Sequence, residues 1–295
     1  MAIVWVWGIS LARTFCLEIA LICLLIPAAA LALRRRMLAA VGVGIAAMWA
    51  WPGWELLRTP MPEELAGSPI VCMSFNVLGL NRNHAGILEE IVQADPDVLA
   101  IQEYTLALHE AIGPDLLQRW PHVQLTWWNE RFGMALYSRI PFDDARTLRS
   151  GDRGRTMLRV TLAHSEGPLV CYAIHPAHPA GVQLVADGRM AFRHLLDAID
   201  QETHPVVILG DFNASLWSPQ DESLRRRGYR NTLSLAARGY QATWPAAGPM
   251  THVPSVRIDH IYVSPGLLCD RATTGSNRGS DHRPVIARIG RGRSG

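Results

Sequence analysis

The hydrophobic positions of this chain follow two different patterns, one before residue 54 and one after residue 70. The first part holds two long apolar runs, Phe15–Leu33 and Met37–Trp54, which the triplet Arg34–Arg36 separates. From Ile70 onward, short apolar runs typical of buried strands alternate with amphipathic stretches typical of helices. The pattern therefore predicts an apolar N-terminal segment followed by an α/β domain with many strands.

The second region is predicted to contain eight strands and four helices. The strands are short and rich in β-branched residues, and they are Ile70–Phe75, Val98–Gln102, Met134–Ser138, Met157–Leu162, Leu169–Ile174, Val206–Gly210, Ile258–Val263 and Val285–Ile289. The helices are Ala85–Ala94, Thr105–Leu117, Leu184–Asp200 and Pro219–Arg227. Ser218 and Gly228 suit the start and the stop of the last helix.

The N-terminal runs have the length of membrane spans. At a rise of 1.5 Å per residue, Phe15–Leu33 would extend about 28 Å, close to the roughly 30 Å of bilayer hydrocarbon. Tryptophans at the end of the second run favour the membrane–water interface. We therefore expect residues 1–54 to form a transmembrane helical hairpin with spans at about 15–33 and 37–54. A cleaved signal peptide and a pair of buried helices are the alternatives.

The charges around this segment also predict its orientation and its boundary. Arg34–Arg36 lie between the two spans, and positive residues favour the cytoplasmic side. A multi-pass protein of the cell membrane whose α/β domain is extracytoplasmic is therefore expected. Proline and charge in residues 55–69 indicate a linker, followed by the α/β domain over 70–290 and a tail over 291–295. Residues 68–295 are expected to fold alone.

Composition limits the function classes. The net charge is only +2, so no strong overall field attracts nucleic acid, and all 28 basic residues are arginine. The five cysteines show neither zinc-ligand nor redox-motif spacing, which argues against a disulfide framework. Two spans with few polar residues offer no transport pathway.

Polar side chains follow the predicted strands at the points where several of them end. Carboxylates, amides and imidazoles at strand ends can converge on one rim of a sheet. Hard oxygen ligands there suit Mg²⁺ or Mn²⁺, and imidazoles suit proton transfer around a phosphate. The residues in question are Asn76, Glu103, His175, Asp211, Asn213, Asp259, Asp281 and His282. Each alone is compatible with a turn or a helix cap, whereas the whole ordered set indicates a functional site.

That ordered set resembles the endonuclease/exonuclease/phosphatase family. The motifs that carry the resemblance are Ser74-Phe75-Asn76-Val77, Ile101-Gln102-Glu103, Ala173-Ile174-His175, Gly210-Asp211-Phe212-Asn213, Ile258-Asp259-His260-Ile261 and Gly279-Ser280-Asp281-His282-Arg283-Pro284-Val285. Trp217-Ser218-Pro219 and Thr243-Trp244 are similar to a bacterial branch with N-terminal membrane segments. The resemblance implies a four-layer α/β/β/α sandwich and metal-dependent phosphoester hydrolysis.

The resemblance also implies a role for each residue. Glu103 would be the main Mg²⁺ or Mn²⁺ ligand, with Asn76 and Asp281 beside it. Asp211 would orient or deprotonate water, Asn213 would hold water or a phosphate oxygen, and His175 would stabilise a non-bridging oxygen. His282 would act as an acid or base, with Asp259 fixing its tautomer.

The motifs indicate phosphoester hydrolysis but do not select one substrate. Nuclease-like cleavage of a phosphodiester is the leading expectation, and hydrolysis of a phospholipid or sphingolipid headgroup is the alternative. A catalytically inactive membrane-anchored binding protein is the alternative of another class. The expected partners are a nucleic acid or phospholipid substrate and, through residues 1–54, the lipid bilayer; no obligate protein partner is indicated. The loop Ser150–Arg155 is either a phosphate clamp or a polar turn.

Overall fold

Twelve strands and eight helices make up the part of the chain that the computed structural model describes, which is residues 15–57, 64–127, 133–150, 155–179, 181–248, 251 and 255–292. The strands are β1 Leu65–Asn76, β2 Val98–Gln102, β3 His122–Thr126, β4 Met134–Ser138, β5 Phe142–Arg149, β6 Thr156–Leu162, β7 Leu169–Ile174, β8 Val206–Asp211, β9 Arg230–Asn231, β10 Asp259–Val263, β11 Leu267–Thr274 and β12 Val285–Gly292. The helices are α1 Cys16–Cys23, α2 Leu25–Ala32, α3 Arg36–Leu57, α4 His84–Ala94, α5 Leu106–Arg119, α6 Val182–Ile199, α7 Pro219–Arg226 and α8 Thr232–Ala236.

The strands form two six-stranded sheets. The first has the order β11-β12-β1-β2-β4-β3, and the second has the order β5-β6-β7-β8-β10-β9. Within the described residues, β1 and β2 pair in parallel in one sheet, and β7 and β8 do so in the other. The pairs of each sheet that flank them are antiparallel.

Three apolar clusters show how the layers pack. Side chains such as Ala100 and Leu158 fill the space between the sheets. Ile112 of α5 packs on the outer face of the first sheet, and Leu195 of α6 packs on the outer face of the second. The mixed α/β two-sheet sandwich that the resemblance implied is therefore confirmed, with helices outside both sheets.

The two parallel strand pairs determine where polar groups collect. Asn76 is in register with Gln102, and Ile174 is in register with Gly210, so each pair ends at a common edge. The residues after these positions include Glu103, His175 and Asp211. Adjacent parallel strands joined by a helical crossover leave their carboxyl ends at the same edge, which is where open α/β sheets bind ligands.

The N-terminal segment differs from the expected pair of membrane spans. The first run is divided at Leu24 into α1 and α2, each of eight residues and hence about 12 Å long. Within the described ranges, the helices lack the combination of length and apolar character that crossing a bilayer requires. The predicted transmembrane hairpin of residues 1–54 is therefore not supported.

The boundary of the catalytic domain also differs in detail from the predicted one. Strand β1 begins at Leu65, inside the segment assigned to a linker, and its first residues pair with Gly292 and Arg291 of β12. Helix α3 continues to Leu57. Residues 58–63 of that linker and residues 293–295 of the tail lie outside the described residues.

Candidate active site

Asn76, at the end of β1, connects the carboxylates of the two sheets. Its side-chain nitrogen donates to Glu103 Oε1 at 3.2 Å and to Asp211 Oδ2 at 3.1 Å. Its side-chain oxygen accepts from the Leu78 backbone at 3.1 Å, which fixes the amide orientation. In this geometry Asn76 holds a carboxylate from each sheet in place.

Asp211 is buried at the end of β8 between two imidazoles. Its Oδ2 lies 3.5 Å from His175 Nε2 and 3.8 Å from His282 Nε2. Burial raises the pKa of Asp211, and the neighbouring carboxylate of Asp259 raises it further against the opposing effect of His282 and His175. The carboxylate of Asp211, with its raised pKa, therefore lies beside two imidazoles, a type of group that can carry a proton.

His282 is paired with a second buried carboxylate. Its Nδ1 lies 2.8 Å from Asp259 Oδ2, and Asp259 stands directly opposite Asp211 in the antiparallel pairing of β10 with β8. Burial opposes the positive charge, but Asp259 and Asp211 outweigh it and raise the pKa of His282 to about 10. At neutral pH, His282 is therefore an imidazolium whose Nε2 faces Asp211.

His175 has the opposite electrostatic character. Burial lowers its pKa to about 4, although Asp211 favours the charged form. At neutral pH it is therefore a neutral imidazole, and its buried Nδ1 has no hydrogen-bond partner among the described residues. The site thus contains one charged and one neutral imidazole on either side of a single carboxylate.

Two residues of the site adopt left-handed backbone conformations. Glu103 has φ of 57° and Asn213 has φ of 48°. Asn213 uses this turn to donate its backbone N–H to Asp211 Oδ1 at 2.8 Å and its side-chain amide to the Pro176 carbonyl at 3.1 Å. Such conformations cost of order 1–3 kcal/mol for residues other than glycine and cluster at functional sites.

The loop before β12 brings Asp281 and His282 to the site through Ser280. The Ser280 hydroxyl donates to the Asn76 carbonyl at 2.7 Å and accepts from the His282 backbone at 3.0 Å. Asp281 Oδ2 accepts from Trp244 Nε1 at 3.2 Å, whereas its Oδ1 is buried without a hydrogen-bond partner in the described part of the chain.

The residues present fit a hard divalent cation. Glu103 and Asp281 supply carboxylate oxygens, and the orphaned Oδ1 of Asp281 is an acceptor that a cation would satisfy. Asp211, Asp259 and His282 also lie close enough together to be considered as ligands. In that second set, the hydrogen bond with Asp259 engages His282 Nδ1 and leaves Nε2 as the ring nitrogen available to a cation.

An active-site cavity of about 530 Å³ opens beside these residues. Arg155 lines it together with Glu103, His175, Asp211 and His282. Arg155 is only 9% exposed, and burial lowers its pKa although Glu103 and Asp211 oppose that shift. A buried guanidinium here favours the phosphate-binding interpretation of the loop over the polar turn; residues 151–154 lie outside the described residues.

Comparison with known proteins assigns the family. The family model described as Endonuclease/Exonuclease/phosphatase family matches residues 73–282, more than half of the chain. The chain belongs to the endonuclease/exonuclease/phosphatase family. Members of this family are phosphoester hydrolases, and family enzymes use divalent metals. No curated protein sequence matches the chain.

Solved structures of the family share the fold at low identity. The human Nocturnin catalytic domain with bound sulfate is 20% identical, with a TM-score of 0.59 over 79% of this chain and 100% of that one. D. rerio TDP2 complexed with single-strand DNA product is 17% identical, with a TM-score of 0.61 over 76% and 99%. The Bacteroides thetaiotaomicron mannosyl-6-phosphatase is 15% identical, with a TM-score of 0.58 over 75% and 99%.

The structure brings all eight predicted site residues into one connected set. Hydrogen bonds or close contacts link Asn76, Glu103, Asp211, Asn213, His175, His282, Asp259 and Asp281. Their individual roles stay predictions. Ser280 was missed as a positioning residue, although it lies inside the motif around Asp281 and His282.

Proposed function

We propose that this protein hydrolyses phosphodiester bonds with the help of Mg²⁺ or Mn²⁺. The observation that supports this most is the buried Asp211 carboxylate, held by Asn76 between a neutral and a charged imidazole and beside Glu103. A binding protein that had lost catalysis would have no need for these paired and strained polar groups. The complete set therefore favours an enzyme over an inactive membrane-anchored binding protein.

Each side chain has a distinct task in the proposed reaction. Asp211 accepts a hydrogen bond from the attacking water and takes its proton, with Asn213 helping to orient that water. His282 carries a proton at Nε2 toward the reacting phosphate, and Asp259 fixes the imidazolium through Nδ1. Neutral His175 and the guanidinium of Arg155 stabilise the negative charge on the non-bridging oxygens.

Glu103 and Asp281 would hold the cation, with Asn76 beside them. When bound, the cation polarises the phosphoryl group or lowers the pKa of a water molecule. Asn76 keeps Glu103 in position through its 3.2 Å hydrogen bond. The Gly79 backbone N–H donates to the other Glu103 oxygen at 2.8 Å, so the carboxylate is oriented before any cation binds.

The Glu103→Gln variant is expected to lose activity mainly through weakened metal binding. Glutamine keeps the shape but removes the negative charge that a hard cation prefers. With bis-p-nitrophenyl phosphate as substrate, the Mg²⁺ or Mn²⁺ concentration at half-maximal rate should rise at least tenfold, and excess metal should restore part of the rate. The matched control, Glu110→Gln on the exposed face of α5, should leave the metal dependence unchanged. An unaltered metal titration of Glu103→Gln would contradict this assignment.

The comparisons do not fix the substrate. One similar structure was solved with a single-strand DNA product and another is a mannosyl-6-phosphatase, and at such identities they share only the fold with this chain. Nuclease-like activity and hydrolysis of a phospholipid or sphingolipid headgroup are both compatible with the residues at the phosphate.

We also propose that the protein is located at the cell membrane and associates with lipid through its N-terminal helices. Large apolar side chains project from α1, α2 and α3, including Leu25 at 68%, Met37 at 86% and Trp51 at 83% exposure. A concentration of exposed large apolar side chains in one segment indicates a membrane or protein interaction site. The extracytoplasmic position of the catalytic domain was predicted from two membrane spans joined by Arg34–Arg36, and it stays a prediction.

Liposome flotation of the full-length protein tests the membrane proposal. The triple variant Leu25→Gln/Leu33→Gln/Met37→Gln should bind liposomes at least tenfold less than the wild type, since each substitution removes an exposed apolar side chain from the N-terminal segment. The control triple, Leu80→Gln/Leu106→Gln/Val182→Gln, changes similarly exposed residues elsewhere and should bind like the wild type. Equal losses in both triples would contradict a specific role for the N-terminal helices.

A further inference from the structure

The wall of the active-site cavity combines polar and apolar side chains. Its polar part includes Asp211 and His282. Much of the remaining wall consists of apolar side chains, Phe15, Val185, Phe192, Val256 and Ile258. A volume of about 530 Å³ falls within the roughly 300–1,000 Å³ of pockets that bind whole organic ligands. The space is therefore larger than a phosphate and its attacking water require.

The N-terminal segment contributes directly to this wall. Phe15 immediately precedes α1, and Cys16, the first residue of that helix, is buried. Burial raises the pKa of Tyr240 in the catalytic domain to about 12, and the proximity of Glu18 and Cys16 adds to the shift. The helices that expose apolar side chains to the surroundings thus begin at the wall of the cavity.

We propose that this cavity binds the alkyl chain of an amphiphilic phosphoester, so that the substrate class is a lipid phosphate ester. The phosphate would lie at Asp211 and His282, and the chain would lie along Phe15 and Val185. This inference rests on the proposed hydrolase function and specifies its substrate. It also gives the apolar N-terminal helices a role, because a substrate drawn from a lipid surface would enter beside them.

A nucleobase fits the same wall less well. Protein sites that read a base combine stacking with hydrogen bonds to the edge of the base. The side chains of Phe15, Val185, Phe192, Val256 and Ile258 carry no hydrogen-bonding atoms. The small net charge of +2 also provides little general attraction for a polyanion.

Binding of n-alkylphosphonates to the full-length protein tests the inference without requiring turnover. The series from ethyl- to hexylphosphonate is titrated by calorimetry in the presence of Mn²⁺. Burial of a methylene group improves binding by up to about fourfold. We expect Kd to fall about two- to fourfold for each added methylene, and at least tenfold from ethyl to hexyl. A Kd that does not change with chain length would overturn the proposal.

Two substitutions on α6 form a matched pair for this test. Val185→Trp fills the cavity and should reduce the preference for hexyl over ethyl to less than threefold. Val182 lies on the same helix and is 84% exposed, so Val182→Trp should retain the wild-type preference. Phe15→Ala should also weaken the preference, because it removes the apolar wall that α1 introduces. Retention of the full preference by both Val185→Trp and Phe15→Ala would contradict the assigned position of the chain.

The outcomes separate this inference from the proposed function. Tighter binding of phenylphosphonate than of hexylphosphonate, which has the same number of carbons, would favour an aromatic group and overturn the lipid assignment. Metal-dependent hydrolysis of bis-p-nitrophenyl phosphate without any chain-length effect would leave the hydrolase function standing and refute the alkyl site. A chain-length effect without hydrolysis of any phosphoester would refute the hydrolase function instead.

Discussion

The Asp211→Asn variant is expected to hydrolyse phosphodiesters about 10²–10⁴-fold more slowly than the wild type, the range typical of a lost general base. Asparagine keeps the acceptor oxygen for the Asn213 backbone N–H but cannot take a proton from water. The fold should persist, because the substitution is close to isosteric and preserves that 2.8 Å hydrogen bond. Initial rates with bis-p-nitrophenyl phosphate at saturating Mn²⁺, together with the thermal melting temperature, measure both effects.

The control for Asp211 is an exposed aspartate of the same domain. Asp197 lies on the solvent face of α6, and Asp197→Asn should retain the wild-type rate. A near-normal rate for Asp211→Asn would place the base elsewhere, and the family resemblance would then be one of fold only. Recovery of Asp211→Asn on adding metal would instead assign Asp211 to the metal site.

Replacement of His282 by alanine should have a similarly large effect, about 10²–10⁴-fold on the rate, with no rescue by Mg²⁺ or Mn²⁺. The reason is that the variant loses the imidazolium that Asp259 and Asp211 maintain at neutral pH. Asp259→Asn should reproduce part of the defect, since it weakens the hydrogen bond that fixes Nδ1. The double variant should be no slower than His282→Ala alone, because the two residues act as one unit.

Steady-state rates of the two single variants and the double variant decide this prediction. His204→Ala, which changes an exposed histidine, is the control and should not alter the rate. Circular dichroism at the assay temperature confirms that each variant is folded. Independent, multiplicative losses in the double variant would show that Asp259 has a function apart from His282.

The strands that the hydrophobic pattern failed to predict share one position in the structure. They are β3, β5, β9 and β11, and these are the four edge strands of the two sheets. An edge strand is hydrogen-bonded to a neighbouring strand on one side only. Polar or charged residues in such a strand protect its free edge against aggregation. β5, for example, has no fully buried residue and contains two aspartates and two arginines. Local hydrophobicity therefore identified the inner strands, each of which is paired with a neighbour on both sides.

The site was more predictable than the sheet edges, for a different reason. Any one polar residue after a buried strand could be part of a turn or a helix cap, but the ordered set that includes Asn76, Glu103 and Asp211 indicated a site. Contacts between residues far apart in the sequence could not be predicted in this way. The 2.7 Å hydrogen bond between Ser280 and the Asn76 carbonyl spans 204 positions, and Phe15 reaches the cavity from outside the catalytic domain. No local pattern encodes such distances.

The N-terminal segment shows the limit of composition as a guide. Apolar content predicted two continuous spans, but α1 and α2 are separate helices with a break at Leu24. Whether an apolar run forms one long helix or two short ones depends on what it packs against, and α3 contacts both α1 and α2. Hydropathy indicates that a segment prefers an apolar environment. It does not indicate whether the segment forms one long helix or two short ones.

The antiparallel pairing of β12 with β1 determines when activity first becomes possible. Met73 of β1 pairs with Ile286 of β12, and the two residues are more than 200 positions apart in the sequence. The loop that carries His282 immediately precedes β12. During translation, Asn76, Glu103 and Asp211 emerge from the ribosome long before His282. If the proposed hydrolysis needs His282, we expect a nascent polypeptide to be inert toward phosphoesters until this residue and β12 have left the ribosome. Truncation of the chain before β12 should therefore remove the activity together with the pairing that completes the first sheet.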